Sequence, residues 1–259
     1  MTLIKDRAVI IGQGYVGLPV AMRAVHGGYD VVGFEIDPTK VSALNSGRSH
    51  VEDISADQLG EMLGTGRYRA TSEASDLAGF DVAVISVPTP MGEGVPDLSY
   101  IESAARTLAA HLSPGATVIL ESTTYPGTTE ELVAPILESG SGLGAGEDFQ
   151  LGYSPERIDP GNPTWRLENT PKVVSGMNPR SLEAVQGFFD RLVDTTVPVS
   201  GTREAELTKL LENTFRHVNI ALVNELAMFA KDLGIDVWEA IDAASTKPFG
   251  YMRFTPGPG

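Results

Sequence analysis

Three glycines near the start of the chain have the spacing of a dinucleotide-binding turn. Gly12, Gly14 and Gly17 form G-x-G-x-x-G in IIGQGYVGLP, after a run of β-branched residues and before a helical pattern. Gly12 permits a tight turn, Gly14 lets the backbone approach a pyrophosphate, and Gly17 allows close helix–strand packing. The helix N-terminus supplies N–H groups for the phosphates. Tyr15 and Val16, inside the motif, are assigned to the same cofactor contact; an ordinary glycine turn is the alternative.

An acidic residue at the end of the second predicted strand indicates which dinucleotide binds. Glu35 lies 18 positions after Gly17, where a carboxylate accepts hydrogen bonds from the adenosine ribose and repels a 2′-phosphate. The expected cofactor is therefore NAD rather than NADP. Asp37 is a competing candidate, but it precedes Pro38 and is also suited to cap the next helix. Lys40 is equally well interpreted as a neighbour of the adenine or as a solvated helix lysine.

A proline-rich segment, SVPTPMGEGVPDLSY, follows the fourth predicted strand. Doubly wound folds bind ligands beyond the carboxyl ends of their strands, which is where this segment begins. Val87, Pro88 and Thr89 are therefore predicted to line the cofactor cleft. The alternative is a loop without a ligand.

The pattern of the first 200 residues predicts the sheet that these residues need. The runs RAVIIG, DVVGFEI, DVAVISV and TVILES alternate with helical patterns near 15–27, 38–47 and 99–111. This alternation is typical of an α/β, doubly wound, mainly parallel Rossmann-type sheet with helices on both faces. Three later runs, FQLGYS, KVVSG and TTVPVS, predict further strands that extend the sheet domain to about residue 200.

A long helix is predicted after the sheet domain, from Arg203 to Leu233, with Thr202 as N-cap and Gly234 as C-cap. At 1.5 Å per residue it is about 45 Å long. Its apolar stripe predicts a homodimer contact along helix 203–233, with burial by another part of the same protein as the alternative. The stripe consists of Leu207, Leu211, Phe215, Val218, Leu222, Leu226, Ala230 and Leu233.

The chain is accordingly divided into 1–200, an NAD-binding domain, and 201–259, the long helix and the start of a small helical domain. The second part ends with a short amphipathic helix, IDVWEAIDAAS, and the segment TKPFGYMRFTPGPG.

Composition excludes several classes of partner. The net charge of -15 and the absence of clustered Lys and Arg argue against nucleic acid. No run approaches the roughly 20 apolar residues of a membrane span, and the N-terminus shows no cleavage pattern, so a cytoplasmic protein is expected.

The four histidines lack ligand spacing, so no metal is predicted. With no cysteine, neither disulfides nor a thiol nucleophile are available.

Polar residues at helical spacing also have a chemical interpretation. Lys209 and Asn213 are four residues apart and Arg216 follows three later, so they share one face of the predicted helix. A cation beside an amide donor suits an alkoxide or a similar oxyanion. From spacing alone, a solvated helix face is the better interpretation.

Glu156 is a candidate for proton transfer, and one of two adjacent threonines is a further polar candidate. Glu156 lies in a strand-to-loop segment, where a carboxylate that faces a cleft has its pKa raised enough to act as a base. The alternative is a salt bridge with Arg157. Of the adjacent Thr123 and Thr124 in the segment ESTTYPGTTE, one is expected to bond to backbone, and Thr123 is preferred as the functional residue because it directly follows ES.

Several motifs together, in one order along the chain, resemble the UDP-glucose/GDP-mannose dehydrogenase family. They are GQGYVGLP, VPTP, ESTTYPGTTE, YSPERIDPGN, AELTKLLENTFRHVNIALVNELA and TKPFGYMRFTPGPG. YSPERIDPGN and KPFG are most similar to the branch that oxidises UDP-N-acetylhexosamines. The resemblance implies NAD-dependent oxidation of a sugar C6 hydroxyl to a carboxylate. That reaction takes two hydride transfers and passes through thiohemiacetal and thioester intermediates on a cysteine.

The resemblance also implies roles for individual residues. Thr123 would position a catalytic water or the substrate hydroxyl, and Glu156 would act as base or water activator; both would also contact the cofactor. Lys209 and Asn213 would stabilise the oxyanion. The residues expected to bind the nucleotide-diphosphate sugar are Arg157, Arg216, Lys247, Phe249 and Gly250.

In the family, the nucleophilic cysteine and a C-terminal nucleotide-binding domain follow the PGPG segment, whereas this sequence ends at Gly259. The expectation is that the chain binds NAD and dimerises but lacks the catalytic cysteine and the C-terminal domain. Two alternatives remain. One is a β-hydroxyacid dehydrogenase that uses Lys209 as acid and base and needs no cysteine. The other is a non-catalytic NAD-binding dimerisation module.

Overall fold

The computed structural model describes residues 7–92, 94–159, 161–162 and 164–258. Pro160, within the motif YSPERIDPGN, lies outside the described residues. In chain order the strands are β1 (Arg7–Ile11), β2 (Asp30–Phe34), β3 (Tyr68–Thr71), β4 (Val82–Ile85), β5 (Met91–Gly92), β6 (Val95–Pro96), β7 (Thr117–Leu120), β8 (Gln150–Tyr153), β9 (Lys172–Val174) and β10 (Thr196–Pro198). The helices are α1 (Gly17–His26), α2 (Pro38–Asn45), α3 (Ala56–Gly64), α4 (Ser99–Ala109), α5 (Ala134–Ser141), α6 (Pro179–Phe189), α7 (Thr202–Asp232) and α8 (Val237–Ser245).

Six parallel strands form the central sheet, in the order β3-β2-β1-β4-β7-β8. The chain runs outwards in one direction from β1 to β3 and in the other from β4 to β8, so the strand order reverses between β1 and β4. This confirms the predicted doubly wound α/β fold, and the long α7 follows it as expected.

The predicted strands KVVSG and TTVPVS form, but they do not extend this sheet. β9 and β10 pair in parallel as a separate two-stranded sheet. The segment after β9 bonds to β8: Ser175 N donates to Tyr153 O at 3.1 Å and Met177 N to Leu151 O at 3.0 Å. Because the ladder of β9 is formed with β10, the main sheet ends at β8.

Strand β1 shows why the central strands are apolar on both faces. Ala8 and Ile10 pack into one hydrophobic cluster with residues of α1, α3 and α6, whereas Val9 and Ile11 pack into another with residues of α4 and α5. All four side chains are buried. Helices therefore cover the sheet on each side, as expected for parallel strands.

Two compact units divide the chain between Lys209 and Leu210, within α7. In the second unit, Asp236 caps α8 by accepting from Trp238 N at 2.9 Å. Asn224 forms two hydrogen bonds with the backbone of Gly257, at 2.8 and 2.9 Å. No helix among the described residues is long and apolar enough to span a membrane.

The helix start differs from the prediction. Thr202 was expected to be the N-cap, but α7 begins at Thr202 itself, and the Thr202 hydroxyl donates to Glu130 Oε1 at 2.8 Å. Gly234 has a φ of +69°, which is the left-handed conformation expected after a helix C-terminus.

A buried carboxylate at the start of α7 holds the loop that follows β7. Glu206 accepts hydrogen bonds from Gly127 N at 2.6 Å, Thr129 N at 2.9 Å and Thr129 Oγ1 at 2.7 Å. Burial raises the pKa of Glu206, although these hydrogen bonds oppose the rise. Gly127 has a φ of +102°, so the turn needs glycine and an acceptor for its N–H.

Replacing Glu206 by alanine should destabilise the chain. Glu206→Ala leaves two buried backbone N–H groups without an acceptor, which should lower the free energy of unfolding by about 2–5 kcal/mol. Urea denaturation measures the loss. The exposed Glu204, two residues earlier in α7, provides the control, and Glu204→Ala should change stability by less than about 0.5 kcal/mol. If both substitutions lowered the free energy of unfolding equally, the hydrogen bonds of Glu206 would not stabilise the chain.

Candidate functional site

The glycine motif forms a turn between β1 and α1. Gly12 has a φ of +90°, and a Cβ there would lie 2.6 Å from Ser86 O. A Cβ on Gly17 would lie 1.9 Å from Gly12 O. A Cβ on Gly14, in contrast, would meet no described atom within 4 Å. Packing thus requires Gly12 and Gly17 to be glycines, whereas Gly14 borders open space at the N-terminal end of α1, where a phosphate group fits.

The buried side chain of Gln13 links this turn to β1 and β3, and sequence analysis missed it. The Gln13 side chain donates from Nε2 to Ile10 O at 2.9 Å and accepts at Oε1 from the Tyr68 hydroxyl at 2.8 Å. A Cβ on Gly33 of β2 would lie 2.5 Å from Gln13 Oε1. Two features of the sequence could have indicated this contact: Gln13 is a polar residue inside the glycine motif, and Gly33 is a glycine inside an apolar strand.

Glu35 lies beside the same turn. Its carboxylate accepts from Gln13 N at 3.3 Å through Oε2 and from Asp37 N at 3.1 Å through Oε1. Each carboxylate oxygen has a second lone pair, so acceptor capacity remains for ribose hydroxyls. Asp37 caps α2 by accepting from Thr39 N at 2.8 Å, which is the role that competed with cofactor binding. Lys40 is exposed.

The loops after β4 and β7 are tied together at the carboxyl edge of the sheet. Val87 N donates to Ser122 Oγ at 2.9 Å, and Ser122 Oγ donates to Val87 O at 2.8 Å. The structure therefore brings Val87 next to Ser122, the residue before Thr123. Pro88 is exposed and Thr89 is half-buried in the same loop.

The two adjacent threonines have different environments. Thr124 is buried and donates to Thr128 Oγ1 at 2.5 Å, so it bonds to a side chain rather than to the backbone as expected. Thr123 is exposed. Of the pair, Thr123 is the residue whose side chain reaches the surface at this edge.

Glu156 takes part in a buried ionic cluster with Lys172 and Glu121, called the Lys172 cluster below. Lys172 Nζ lies 2.5 Å from Glu121 Oε1 and 3.2 Å from Glu156 Oε2. Sequence analysis missed both partners, although Glu121 belongs to the motif ESTTYPGTTE. For Glu156, the ion pair that the structure describes is with Lys172, whereas the sequence-based alternative named Arg157. Arg157 contributes its backbone N–H to Glu156 Oε1 at 2.6 Å, and its guanidinium donates to Pro171 O at 2.7 Å.

The prediction that the pKa of Glu156 is raised was also wrong. Burial does raise that pKa, but the Lys172 ammonium and the N–H groups of Ile158 and Arg157 outweigh burial and lower it below its ordinary value. The raised pKa belongs to Glu121. Burial raises the pKa of Glu121 to about 7, with Lys172 opposing and the charge of Glu156 adding to the rise.

The side chain of Lys209 contacts Glu156. Its Nζ donates to the main-chain O of Glu156. In the second unit, Asn213 and Arg216 are exposed on α7, and Lys247, Phe249 and Gly250 are exposed after α8. There, Lys247 Nζ lies 5.1 Å from the centroid of the Phe249 ring.

A cleft of about 460 Å³ is lined by residues of α1 and by Glu156. Tyr15 and Val16 of the glycine motif line it. Asp53, Trp165 and Arg166 also line it, and none of these three was singled out in the sequence. Among the described residues, no group of three or more His, Cys, Asp or Glu is arranged to hold a metal ion.

Two family matches cover most of the chain. Residues 6–193 match the UDP-glucose/GDP-mannose dehydrogenase family, NAD binding domain. Residues 203–259 match the central domain of the same family.

Individual relatives agree with these matches. The UDP-N-acetyl-D-mannosamine dehydrogenase of Pyrococcus horikoshii is 40% identical over 254 residues, which are 98% of this chain and 60% of that protein. The UDP-N-acetyl-D-glucosamine 6-dehydrogenase of Pseudomonas aeruginosa is 39% identical over 257 residues, 98% of this chain and 60% of that protein. A solved structure of the UDP-D-ManNAc dehydrogenase of Pyrococcus horikoshii has a TM-score of 0.92 at 40% identity, over 97% of this chain and 60% of that one. This chain thus spans about 60% of the length of the relatives it matches.

Proposed function

The chain belongs to the UDP-glucose/GDP-mannose dehydrogenase family, and from this premise we propose that it forms the cofactor-binding part of a nucleotide-sugar 6-dehydrogenase. NAD is the cofactor of the family's N-terminal domain. The turn at Gly12–Gly17 fits it, because the space beyond Gly14 admits a pyrophosphate at the end of α1. The single observation that carries the proposal beyond cofactor binding is the convergence of Glu156, Lys172 and Lys209 near this turn.

The proposed reaction is oxidation of the C6 hydroxyl of a nucleotide-diphosphate sugar to the uronic acid, with bound NAD as the hydride acceptor. The names of the two relatives above favour a UDP-N-acetylhexosamine as substrate, with UDP-glucose as the alternative. Residues 1–200 bind NAD in this proposal, and residues 201–259 contribute the long helix and the central helical domain.

The chain's own residues would act as follows. Glu35 accepts hydrogen bonds from the adenosine ribose, and Val87, Pro88 and Thr89 contact the cofactor. Thr123 orients the substrate hydroxyl or a water molecule. Glu156, which is ionised at neutral pH because its pKa is lowered, is ready to accept a proton without first losing one.

Other roles stay predictions from the family resemblance. Lys209 and Asn213, four residues apart in α7, would stabilise an oxyanion. Tyr15, Val16 and Lys40 would contact the cofactor. Sugar and nucleotide binding is assigned to Arg157, Arg216, Lys247, Phe249 and Gly250.

The chain should bind NAD more tightly than NADP, and Glu35 should carry the preference. Isothermal titration calorimetry of Glu35→Ala should show the NAD-to-NADP affinity ratio reduced about tenfold, equivalent to about 1.4 kcal/mol. Asp37→Ala is the matched control, because Asp37 caps α2 and its loss should leave the ratio unchanged. Equal affinities for the two dinucleotides in the unchanged chain would contradict the ribose assignment.

The 259 residues alone should not produce a uronic acid, because the sequence contains no cysteine to form the acyl intermediate that the resemblance implies. The chain is incubated with NAD and a UDP-N-acetylhexosamine, UDP-glucose or a small 3-hydroxy acid, and products are followed by NADH absorbance and mass spectrometry. Robust four-electron oxidation of a UDP-sugar would remove the need for a cysteine. Turnover of the 3-hydroxy acid would instead contradict a nucleotide-sugar substrate.

We also propose a homodimer through helix 203–233. Most of the predicted apolar stripe is exposed, with Leu211 at 67% and Leu222 at 53% exposure. Exposed apolar patches of this kind mark protein interfaces.

Light scattering at micromolar concentration should therefore report a dimer. Leu222→Glu should shift the chain towards monomer by placing a charge in the contact, whereas Glu225→Gln, at an exposed polar position of the same helix, should leave the dimer intact. A monomeric wild-type chain would refute the contact.

A further inference from the structure

The Lys172 cluster is buried and is assembled from three separate strands. Lys172 opens β9, Glu121 follows β7, and Glu156 follows β8. The three residues are 2%, 1% and 8% exposed. Removing charged groups from water costs several kcal/mol per ion even when they are paired, so stability alone is a poor explanation for such a cluster. Its position beside the cleft points to a task for it.

All hydrogen-bonding capacity of Lys172 is used inside the protein. An ammonium has three N–H groups. They are matched by Glu121 Oε1 at 2.5 Å, Glu156 Oε2 at 3.2 Å and the main-chain O of Pro155 at 3.0 Å. Lys172 therefore has no donor left for a substrate, and any effect on chemistry must act through the carboxylates it holds.

The Glu156 carboxylate is fixed at both oxygens. Oε1 accepts from Arg157 N at 2.6 Å and from Ile158 N at 2.5 Å, while Oε2 accepts from Lys172. A carboxylate offers about four acceptor positions, and these donors occupy three of them, with the Glu121 carboxyl also within hydrogen-bond reach. The Glu156 carboxylate therefore cannot turn without breaking these bonds.

The cluster holds two carboxylates and one ammonium. Glu121 takes the shorter contact with Lys172, yet its second oxygen, Oε2, is buried without a hydrogen-bond partner among the described residues. The charged and titratable groups that face Glu121 are Lys172, Glu156 and Tyr153, with Glu206 facing Tyr153. Lys172 is the one cation among the groups that face Glu121, whereas the Lys209 ammonium lies at the main-chain O of Glu156. A proton on Glu121 therefore compensates the buried charge on its side of the cluster.

We propose that Lys172 is a positioning residue that holds the Glu156 carboxylate ionised and fixed in orientation, and that Glu121 carries a solvent-derived proton that balances the buried charge. The proton adds to a carboxylate oxygen of Glu121, and no other bond forms or breaks. The consequence for catalysis rests on the proposed role of Glu156. The protonation pattern is a property of the chain itself.

Carbon-13 NMR of the side-chain carboxyl groups, in the 259-residue chain labelled at glutamate, tests the pattern directly. One resonance should titrate near pH 7, as burial of Glu121 requires, and should vanish in Glu121→Gln. Another should stay ionised below the ordinary range of glutamate and vanish in Glu156→Gln. In Lys172→Met the Glu156 midpoint should rise by at least about one pH unit, a tenfold change in its protonation equilibrium.

Controls separate charge from packing. Lys172→Arg keeps the cation and should keep the Glu156 midpoint low, and Lys231→Met, at an exposed position of α7, should leave both resonances unchanged. If Lys172→Met does not fold, Lys172→Met with Glu121→Gln removes the cation together with its titratable partner and should still raise the Glu156 midpoint. If neither folds, Glu121→Gln alone decides: Glu121 already carries a proton where Glu156 titrates, so the Glu156 midpoint should stay low while the resonance near pH 7 vanishes.

The pH dependence of stability is a second measurement. The folded chain retains the Glu121 proton up to about pH 7, whereas the unfolded chain loses it near 4.5, so unfolding should become easier as pH rises through that interval. Glu121→Gln cannot lose this proton. The urea midpoint of the wild type should therefore fall relative to that of Glu121→Gln between about pH 5 and about pH 8. Glu156→Gln removes the second anion of the cluster and should therefore weaken this dependence.

The proposal is overturned by a wild-type chain with no Glu121 titration above the ordinary range, or by an unmoved Glu156 midpoint in a folded variant without Lys172. These outcomes are distinct from failure of the proposed function. A chain that shows the protonation pattern but binds no NAD would refute the function and leave the cluster assignment intact. A chain that binds NAD without the pattern would refute only the cluster assignment.

Discussion

Parallel alignment of the six central strands is the constraint on which the rest of the structure depends. Because all the strands point the same way, their carboxyl ends meet at one edge, and every loop with candidate chemistry leaves from that edge. The glycine turn follows β1, Glu35 follows β2, Val87 follows β4, and Thr123 and Glu156 follow β7 and β8. Residues that are more than a hundred positions apart in the chain thus become neighbours without any local sequence signal.

That constraint explains what the sequence could predict. The strands at the centre of the sheet are apolar on both faces, and the glycine motif is a local pattern with a local cause, so both were recognised from a single stretch of residues. The Lys172 cluster has no such pattern, because its members come from three strands whose adjacency is known only once the sheet is formed. Sequence reasoning therefore offered only Arg157, the neighbour in the chain, as an alternative ion-pair partner for Glu156. It also assigned KVVSG and TTVPVS to the sheet domain without seeing that these strands pair with each other.

The environment of Glu156 changes the way in which a carboxylate at this position would act. A base with a raised pKa is strong but partly protonated, whereas Glu156 is a weaker base that is always in its ionised form near neutrality. Such a group suits fixing the orientation of a hydroxyl or a water and stabilising positive charge on the proton being transferred. The side chain of Lys209, bound to the main-chain O of the same residue, adds a second cation beside Glu156.

Burying Lys172 with two glutamates also makes the chemistry of Glu156 depend on the complete fold. In an unfolded or partly folded chain, Glu156 would have an ordinary pKa and a mobile side chain. Its ionised, oriented state requires β7, β8 and β9 to be in place together, and β9 in turn is fixed by its pairing with β10. Desolvating these charges costs free energy, but the cluster fixes the orientation of one carboxylate. An apolar core of equal volume would not do so.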